Sequence, residues 1–386
     1  MNIDVYFNAS PLLGPRTGIG QYCLQLLSEL RKDPTIRSHY FYRGKWSEEL
    51  VTRPGETTSA VRRSKLLLAE KFPNLANLGF AVRQLQNSMR FSSGLRRNSA
   101  SVYHEPNFLA FRSKLPTVVT VHDLSVLRYP ETHPKYRVAV LGKRIAESAR
   151  RADCIITDSE YVRQEVIAEF GLPPEQVVSV LLAAADAFVP IGDDAVRTAL
   201  SSLKLESGKY VLAVGTLEPR KNLDSAIKAY ACLPESIRKE FPFVIVGMKG
   251  WRMESLDRQI RSLIESGQIR RLGYVPDEML PVLYSGARVF VYPSLYEGFG
   301  LPPLEAMACG APVIVSDRSS LPEVVGDAGL QVAALDVDAL AAAILSVIED
   351  DALSSSLGRR GVERAASFSW RRCAQQTAEV YRRVIA

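Results

Sequence analysis

The stretch Val289-Phe290-Val291-Tyr292-Pro293-Ser294-Leu295-Tyr296-Glu297-Gly298-Phe299-Gly300-Leu301-Pro302-Pro303-Leu304-Glu305-Ala306-Met307-Ala308-Cys309-Gly310 decides the reading of the fold. Its opening run, Val289 to Tyr292, is β-branched and aromatic and predicts a buried strand. A glycine-containing loop then enters a helix whose first turn holds Pro302 and Pro303, where a missing N–H costs nothing. Gly310 supplies a usual C-terminal stop, and Pro312 to Ser316 predicts the next strand. Strand, loop, helix and strand in this order make a βαβ unit and imply a parallel sheet. A loop feeding a helix N-terminus offers amide donors and the positive end of the helix dipole, which suits phosphate. Gly298 and Gly300 allow a ligand close to the backbone. Glu297 and Glu305, with seven residues between them, cannot form a close pair and suit recognition of hydroxyls at two separate points of a long ligand.

Working outward, the same alternation fills the chain. Strands are predicted at Ile3–Phe7, Ser101–His104, Thr117–Val121, Cys154–Asp158 and Val177–Leu182, and again at Tyr210–Val214, Phe243–Val246 and Ile269–Tyr274. A length of 386 residues exceeds the ~250–300 at which single cores split, so two domains are expected. The breaker-rich run Ala185 to Asp194 is the expected linker. The expected division is therefore 1–188, 189–368 and a closing helix over 369–386 that packs back on the first domain. The fold class is α/β, with two Rossmann-like parallel-sheet domains whose ligand sites lie at the carboxyl ends of the strands, in a cleft between facing domains.

Composition narrows the classes. With 47% hydrophobic and 23% charged residues the chain has the make-up of an ordinary globular protein. Ile3 to Phe7 carries an acid where an export signal needs a continuous apolar core, and apolar runs elsewhere are cut well short of the ~18 residues that span a bilayer. A cytoplasmic location is expected. Cys23, Cys154, Cys232, Cys309 and Cys373 are odd in number and unpaired in spacing, which suits reduced thiols and no metal. The +6 net charge is unevenly placed. Between 57 and 97, Arg62, Arg63, Lys65, Lys71, Arg83, Arg90, Arg96 and Arg97 face one acid, Glu70, and alternate with apolar residues. That pattern fits either an anionic membrane surface, with the protein peripheral on the inner face of the cytoplasmic membrane, or an ordinary solvated helix face. Nucleic acid is not expected, for lack of aromatic stacking platforms.

Further candidate residues follow strands. In Gly215-Thr216-Leu217-Glu218-Pro219-Arg220-Lys221-Asn222 the adjacent Arg220 and Lys221 can neutralise a diphosphate. Thr117–Val121 delivers His122 at its carboxyl end, and Tyr103-His104-Glu105-Pro106-Asn107 delivers His104; position alone leaves core and functional roles equally open for each. Gly14-Pro15-Arg16-Thr17-Gly18-Ile19-Gly20 suits a glycine turn at an anion. It fails as a dinucleotide fingerprint, because Cys23 occupies the third glycine position, and this disfavours a dehydrogenase.

Together, EGFGLPPLEAMACGAPVI from Glu297, GTLEPRKN from Gly215 and VHD from Val121 resemble retaining glycosyltransferases of family 4, which have the GT-B fold. The resemblance spans the chain from the first strand to Phe368-Ser369-Trp370. It implies that Glu297 contacts the transferring hexose, that the backbone of Phe299, Gly300 and Leu301 holds hydroxyls and the diphosphate, and that Glu305 holds the ribose. Glu218, Arg220 and Lys221 then belong to the donor-phosphate loop, His122 lies beside the transferring sugar, Gly18 and Gly20 lie near the donor phosphates, and Val275 contacts the base. Many members carry Arg where this chain has Thr216, so one phosphate contact is either missing or supplied from elsewhere.

His104 and Asn107 are the candidate acceptor contacts. HEPNF and HDLSVLRYPETHP look like mannosyltransferase-type members that build bacterial surface polysaccharides. The implied substrates are a nucleotide sugar, GDP-linked by first preference and carrying mannose or a deoxy-mannose such as rhamnose, and a carbohydrate or lipid-linked carbohydrate acceptor of the O-antigen kind. No cofactor or metal is expected. The alternatives are a nucleotide-sugar epimerase, a glycogen-synthase-like elongating enzyme, and a scaffold that binds nucleotide sugars without turning them over.

Overall fold

The computed structural model describes residues 2–14, 18–51, 73–95, 100–248 and 260–386. Much of the basic segment between 57 and 97 therefore lies outside the described residues, as do Pro15 to Thr17 of the first glycine turn. The chain forms two compact units, one of Met1–Leu182 with Trp370–Ala386 and one of Ala183–Ser369. The division falls a few residues ahead of the expected one, because Ala183 to Phe188 already belongs to the second unit, where the Phe188 ring lies edge-on to Tyr284.

In the first unit the strands are β1 (Ile3–Asn8), β2 (Ile36–Tyr42), β3 (Lys45–Ser47), β4 (Ser101–Glu105), β5 (Thr117–Val121), β6 (Cys154–Thr157) and β7 (Val177–Ser179). They form one sheet in the order β3-β2-β1-β4-β5-β6-β7, parallel except for the β2–β3 pair. Central strands β4, β5 and β6 are buried at every residue, which is why they read as continuous apolar runs. β2 escaped the sequence reading. Its Ile36-Arg37-Ser38-His39 start is polar, and only Tyr40 to Tyr42 is buried throughout. An aromatic core gathers Phe41, Phe91, Tyr103 and Phe111 beneath it. The helix Trp370–Ile385 closes this unit against the helix Gly18–Leu30, burying Trp370, Cys373, Thr377 and Tyr381 along one face.

The second unit holds β8 (Val211–Val214), β9 (Phe243–Val246), β10 (Ile269–Gly273), β11 (Val289–Tyr292), β12 (Val313–Ser316) and β13 (Leu330–Val332). All pair in parallel, in the order β10-β9-β8-β11-β12-β13. The chain starts at the centre, winds out to β10, then returns to lay β11 beside β8. This is the doubly wound order, and its switch point is the β8–β11 boundary, where the loops diverge and leave a crevice. Backbone shape enforces the approach of neighbouring strand ends. Gly247, just past β9, has φ +141°, and a Cβ there would stand 1.9 Å from the Gly215 carbonyl oxygen, so only glycine fits. The helices Val337–Glu349 and Asp351–Ala365 cover the sheet, each begun by an aspartate, Asp336 and Asp350, whose side chain accepts from the third residue on.

Candidate active site

The loops leaving β8 and β11 meet across the switch point. Asn222, the last residue of Gly215–Asn222, takes a left-handed conformation (φ +53°), which asparagine tolerates better than most residues. Its amide donates to the carbonyls of Pro293 (3.0 Å) and Ala334 (2.6 Å), and Leu295 N donates to the Arg220 carbonyl at 2.9 Å. These bonds fix Arg220 and Lys221 opposite Glu297. Lys221 Nζ donates to Glu297 Oε1 at 2.6 Å and to the Tyr292 hydroxyl at 2.5 Å. Arg220 lies 3.1 Å from Glu297 Oε2 and 2.7 Å from Glu218 Oε1, and also donates to the Tyr296 carbonyl. Glu218, Arg220 and Glu297 are buried. Burial alone would raise the Glu297 carboxyl, but the Arg220 and Lys221 charges outweigh it and bring it down to about 2. Glu218 and Glu297 balance Arg220 and Lys221, so the cluster is close to neutral as it stands.

Glu297 is also tied through its backbone. Its N–H donates to Ser319 Oγ (2.8 Å), while Ser320 Oγ donates to the carbonyls of Glu297 and Phe299. Gly300 caps the helix Leu301–Ala308 with φ +119°, and a Cβ there would meet Leu321 Cδ2 at 2.9 Å. The two prolines change the expected phosphate geometry. Pro302 and Pro303 have no N–H, and Leu304 N returns to the Gly300 carbonyl at 3.2 Å, so Leu301 keeps the first-turn amide that can face a ligand. Phe299 is buried with its ring against Phe368, leaving its backbone as the polar part. Glu305 projects from the helix to accept from the Tyr284 hydroxyl at 3.2 Å, and burial pushes its carboxyl up to about 8 although one edge stays open. Val275, buried, follows β10 at the same edge of this sheet.

In the first unit, His122 follows β5 and is held at both ring nitrogens. Nδ1 is 2.7 Å from Asp158 Oδ2, and Nε2 is 2.8 Å from the Pro106 carbonyl oxygen. His104 is different, and the structure corrects its expected acceptor role. It has no exposed surface, and its nitrogens meet the Tyr381 hydroxyl (2.6 Å) and Thr120 Oγ1 (2.8 Å), with Tyr22 on the same threonine. Burial drives its pKa down to about 3, so it stays neutral and pins the closing helix to the sheet. Asn107 is partly open, and its Oδ1 is buried with no hydrogen-bond partner among the described residues. Gly18 and Gly20 stand in the first turn of the helix Gly18–Leu30 that the first glycine turn opens, Gly18 exposed and Gly20 buried.

Side chains the sequence reading passed over complete the picture: Asp158, Tyr292, Tyr284 and the buried pair Asn8–Glu105 (2.8 Å) at the β1–β4 switch point of the first sheet. Position was the available signal. Asn8, Glu105, Asp158 and Tyr292 each end or directly follow a parallel strand, as His122 does.

Two parallel sheets of this order, with a charged cluster at a strand switch point, define a nucleotide-binding class of enzyme fold. Residues 16–180 match Glycosyltransferase Family 4, and residues 199–364 match Glycosyl transferases group 1. The chain is 38% identical to O-antigen chain mannosyltransferase B of Escherichia coli, over 98% of this chain and 100% of that protein. It is 29% identical to O-antigen chain mannosyltransferase RfbU of Salmonella typhimurium, over 84% and 85% of the two chains. The sucrose-phosphate synthase of Thermosynechococcus elongatus superposes with a TM-score of 0.73 at 22% identity, covering 100% of this chain and 99% of that one. The chain belongs to glycosyltransferase family 4 and has the GT-B fold.

Proposed function

We propose that this glycosyltransferase moves mannose from GDP-mannose to a lipid-linked O-antigen polysaccharide, with retention of configuration and without a metal ion. The observation that carries the reading is the Lys221–Glu297–Arg220 cluster at the β8–β11 switch point, in a chain so similar along its length to an O-antigen chain mannosyltransferase. Bond breaking at the anomeric carbon leaves negative charge on the departing diphosphate. Lys221 and Arg220 are placed to stabilise that charge, and preorganised charges aimed at a transition state contribute the largest share of many rate enhancements. Since Glu218 and Glu297 already balance these cations, the incoming diphosphate has to draw Lys221 away from Glu297, which frees that carboxylate for a sugar hydroxyl. The Leu301 amide and the dipole of its helix add to the anion site.

Front-face attack suits this site. The leaving phosphate accepts the acceptor hydroxyl's proton, and Glu297 stays paired with Arg220 when Lys221 moves, so it is not held free as a nucleophile. Asn107, with its unsatisfied Oδ1, is the candidate acceptor contact. Peripheral membrane contact belongs to the same reading. Among the described residues no helix is long and apolar enough to cross a membrane, yet the helix Pro73–Ser93 exposes Val82, Leu85 and Met89 at helical spacing beside exposed Arg83 and Arg90.

The test is a transfer assay with GDP-mannose, GDP-rhamnose, UDP-glucose and dTDP-rhamnose, run with and without EDTA and with a mannose-terminated acceptor. Transfer from GDP-mannose is expected, unaffected by EDTA and with the product's anomeric configuration the same as the donor's. Turnover of another donor alone, or inversion, would replace the reading. Sedimentation with vesicles containing phosphatidylglycerol, but not with phosphatidylcholine vesicles, is expected for the membrane contact.

A further inference from the structure

We infer that Asp158 is a positioning residue for sugar transfer, holding His122 as a fixed imidazolium that neither gives nor takes a proton during the reaction. The inference rests on the transferase reading for its catalytic part only. Asp158 was marked by no motif. It follows β6, thirty-six positions after His122, and the parallel pairing of β5 with β6, which sets Val121 beside Thr157, brings the two residues together.

Hydrogen-bond directions decide where the protons sit. A backbone carbonyl can only accept, so the 2.8 Å contact with Pro106 O requires a proton on His122 Nε2. Turning the ring over would set carbons against both oxygens, so the placement of the nitrogens is self-consistent. The remaining nitrogen, Nδ1, faces Asp158 Oδ2 at 2.7 Å, in the range of a charge-assisted bond, with one proton to share. Imidazole is the stronger base by roughly 2.6 units in water, and the proton therefore belongs to the ring.

Other groups facing the pair support this arrangement. Burial disfavours the imidazolium, but the Asp158 charge, its hydrogen bond and the Pro106 carbonyl outweigh burial and raise the His122 pKa; Asp123 acts in the same direction. Burial lifts the Asp158 carboxyl as well, so the partners compete for the proton, and the His122 charge holds the carboxylate back toward its ionised form. The remaining neighbours are Tyr22, edge-on to His122 with ring centroids 4.9 Å apart, Cys373 of the closing helix and the neutral His104. Burial keeps Tyr22, Cys373 and His104 uncharged, which leaves Asp158 as the buried anion in direct contact with the ring.

A ring with both nitrogens engaged has no site left for general acid or base work. What it can supply is a fixed positive charge and a rigid backbone at the end of β5. The side chain's cation, oriented by Asp158, then acts by electrostatics on the reacting complex.

The experiment is nitrogen-15 NMR of the histidine rings in the full chain, where only four histidines occur and His122→Gln assigns the signal. Two protonated nitrogens on His122 from pH 6 to 8 are expected in the wild type, and collapse to a single Nε2-protonated tautomer in Asp158→Asn. In transfer assays Asp158→Asn is expected to lower kcat at least ~10-fold with donor KM changed less than ~2-fold, the split that misorientation at the reacting centre produces. A bare ring nitrogen in the wild type, or a doubly protonated ring that survives in Asp158→Asn, overturns the inference; so does an unchanged kcat in that variant. Should Asp158→Asn not fold, the wild-type spectrum decides alone. The spectrum needs no substrate, so a wild type that transfers no sugar sinks the functional reading while the protonation of the pair is still read directly.

Discussion

Lys221 Nζ is 2.6 Å from Glu297 Oε1, although the two lie 76 positions apart in the chain. The contact pairs a cation of the loop after β8 with a carboxylate of the loop after β11 inside one domain. Replacing Lys221 with Ala removes the mobile charge and leaves Glu297 to Arg220. Turnover is expected to fall at least ~10-fold, toward the ~10²–10³ lost with a single preorganised donor. Steady-state kinetics check it, and near-normal kcat would contradict the phosphate role.

The same pair predicts an acid response. The Glu297 carboxyl titrates at about 2 in the fold against an ordinary 4.5. A depressed folded value means its stabilising share is complete above about 4.5 and disappears as pH falls toward about 2. In urea unfolding, Glu297→Gln should therefore be less stable than wild type at pH 7, with the gap narrowing between pH 5 and pH 3. A gap independent of pH in that window would show that the ion pairs contribute nothing.

Glu305 behaves in the opposite sense. Burial sets its folded value near 8, above the ordinary 4.5, so stability is full below about 4.5 and is lost as pH rises toward 8. Glu305→Gln keeps an acceptor for the Tyr284 hydroxyl and has nothing to ionise. The variant is expected to gain on wild type by roughly 3–4 kcal/mol between pH 5 and pH 8, while losing affinity for nucleoside diphosphate in calorimetry. Equal pH slopes for the two proteins would refute it.

Tyr381→Phe probes the buried contact that holds His104. Deleting the hydroxyl leaves Nδ1 of a fully buried ring without its partner, at a cost of about 1–3 kcal/mol. Thermal unfolding and hydrogen exchange of the closing helix are expected to report the loss, with nucleoside diphosphate affinity unchanged, because the Arg220–Lys221 loop belongs to the other unit.

Gly300→Ala tests the loop itself. At φ +119° any side chain is strained by about 1–3 kcal/mol, and the new methyl would press on Leu321. Donor affinity is expected to drop at least as much as global stability does; a variant that binds nucleoside diphosphate normally would show that the Gly300 conformation does not shape the site.

Local signals were enough for much of this protein. Strands buried on both faces, such as Thr117–Val121 and Val289–Tyr292, are apolar at nearly every position, so composition alone marks them, and alternation with helical segments fixes a parallel sheet. Residues at strand ends, His122, Arg220, Lys221 and Glu297, stood out because the chemistry lies in the loops that leave a parallel sheet. Strand order and ring contacts are another matter. Two histidines that each lie at a strand end are indistinguishable in sequence. Tertiary packing gave one of them a carboxylate and a carbonyl, and the other two hydroxyls and no exposed surface. Likewise, Asp158 meets His122 only because β5 and β6 are neighbours, and Glu297 is held charged because the loop after β8 places two cations on it. Secondary structure follows from interactions a few residues apart, which a sequence displays. Protonation state and pairing are set by atoms many residues distant, brought within about 3 Å by the order of strands in the sheet.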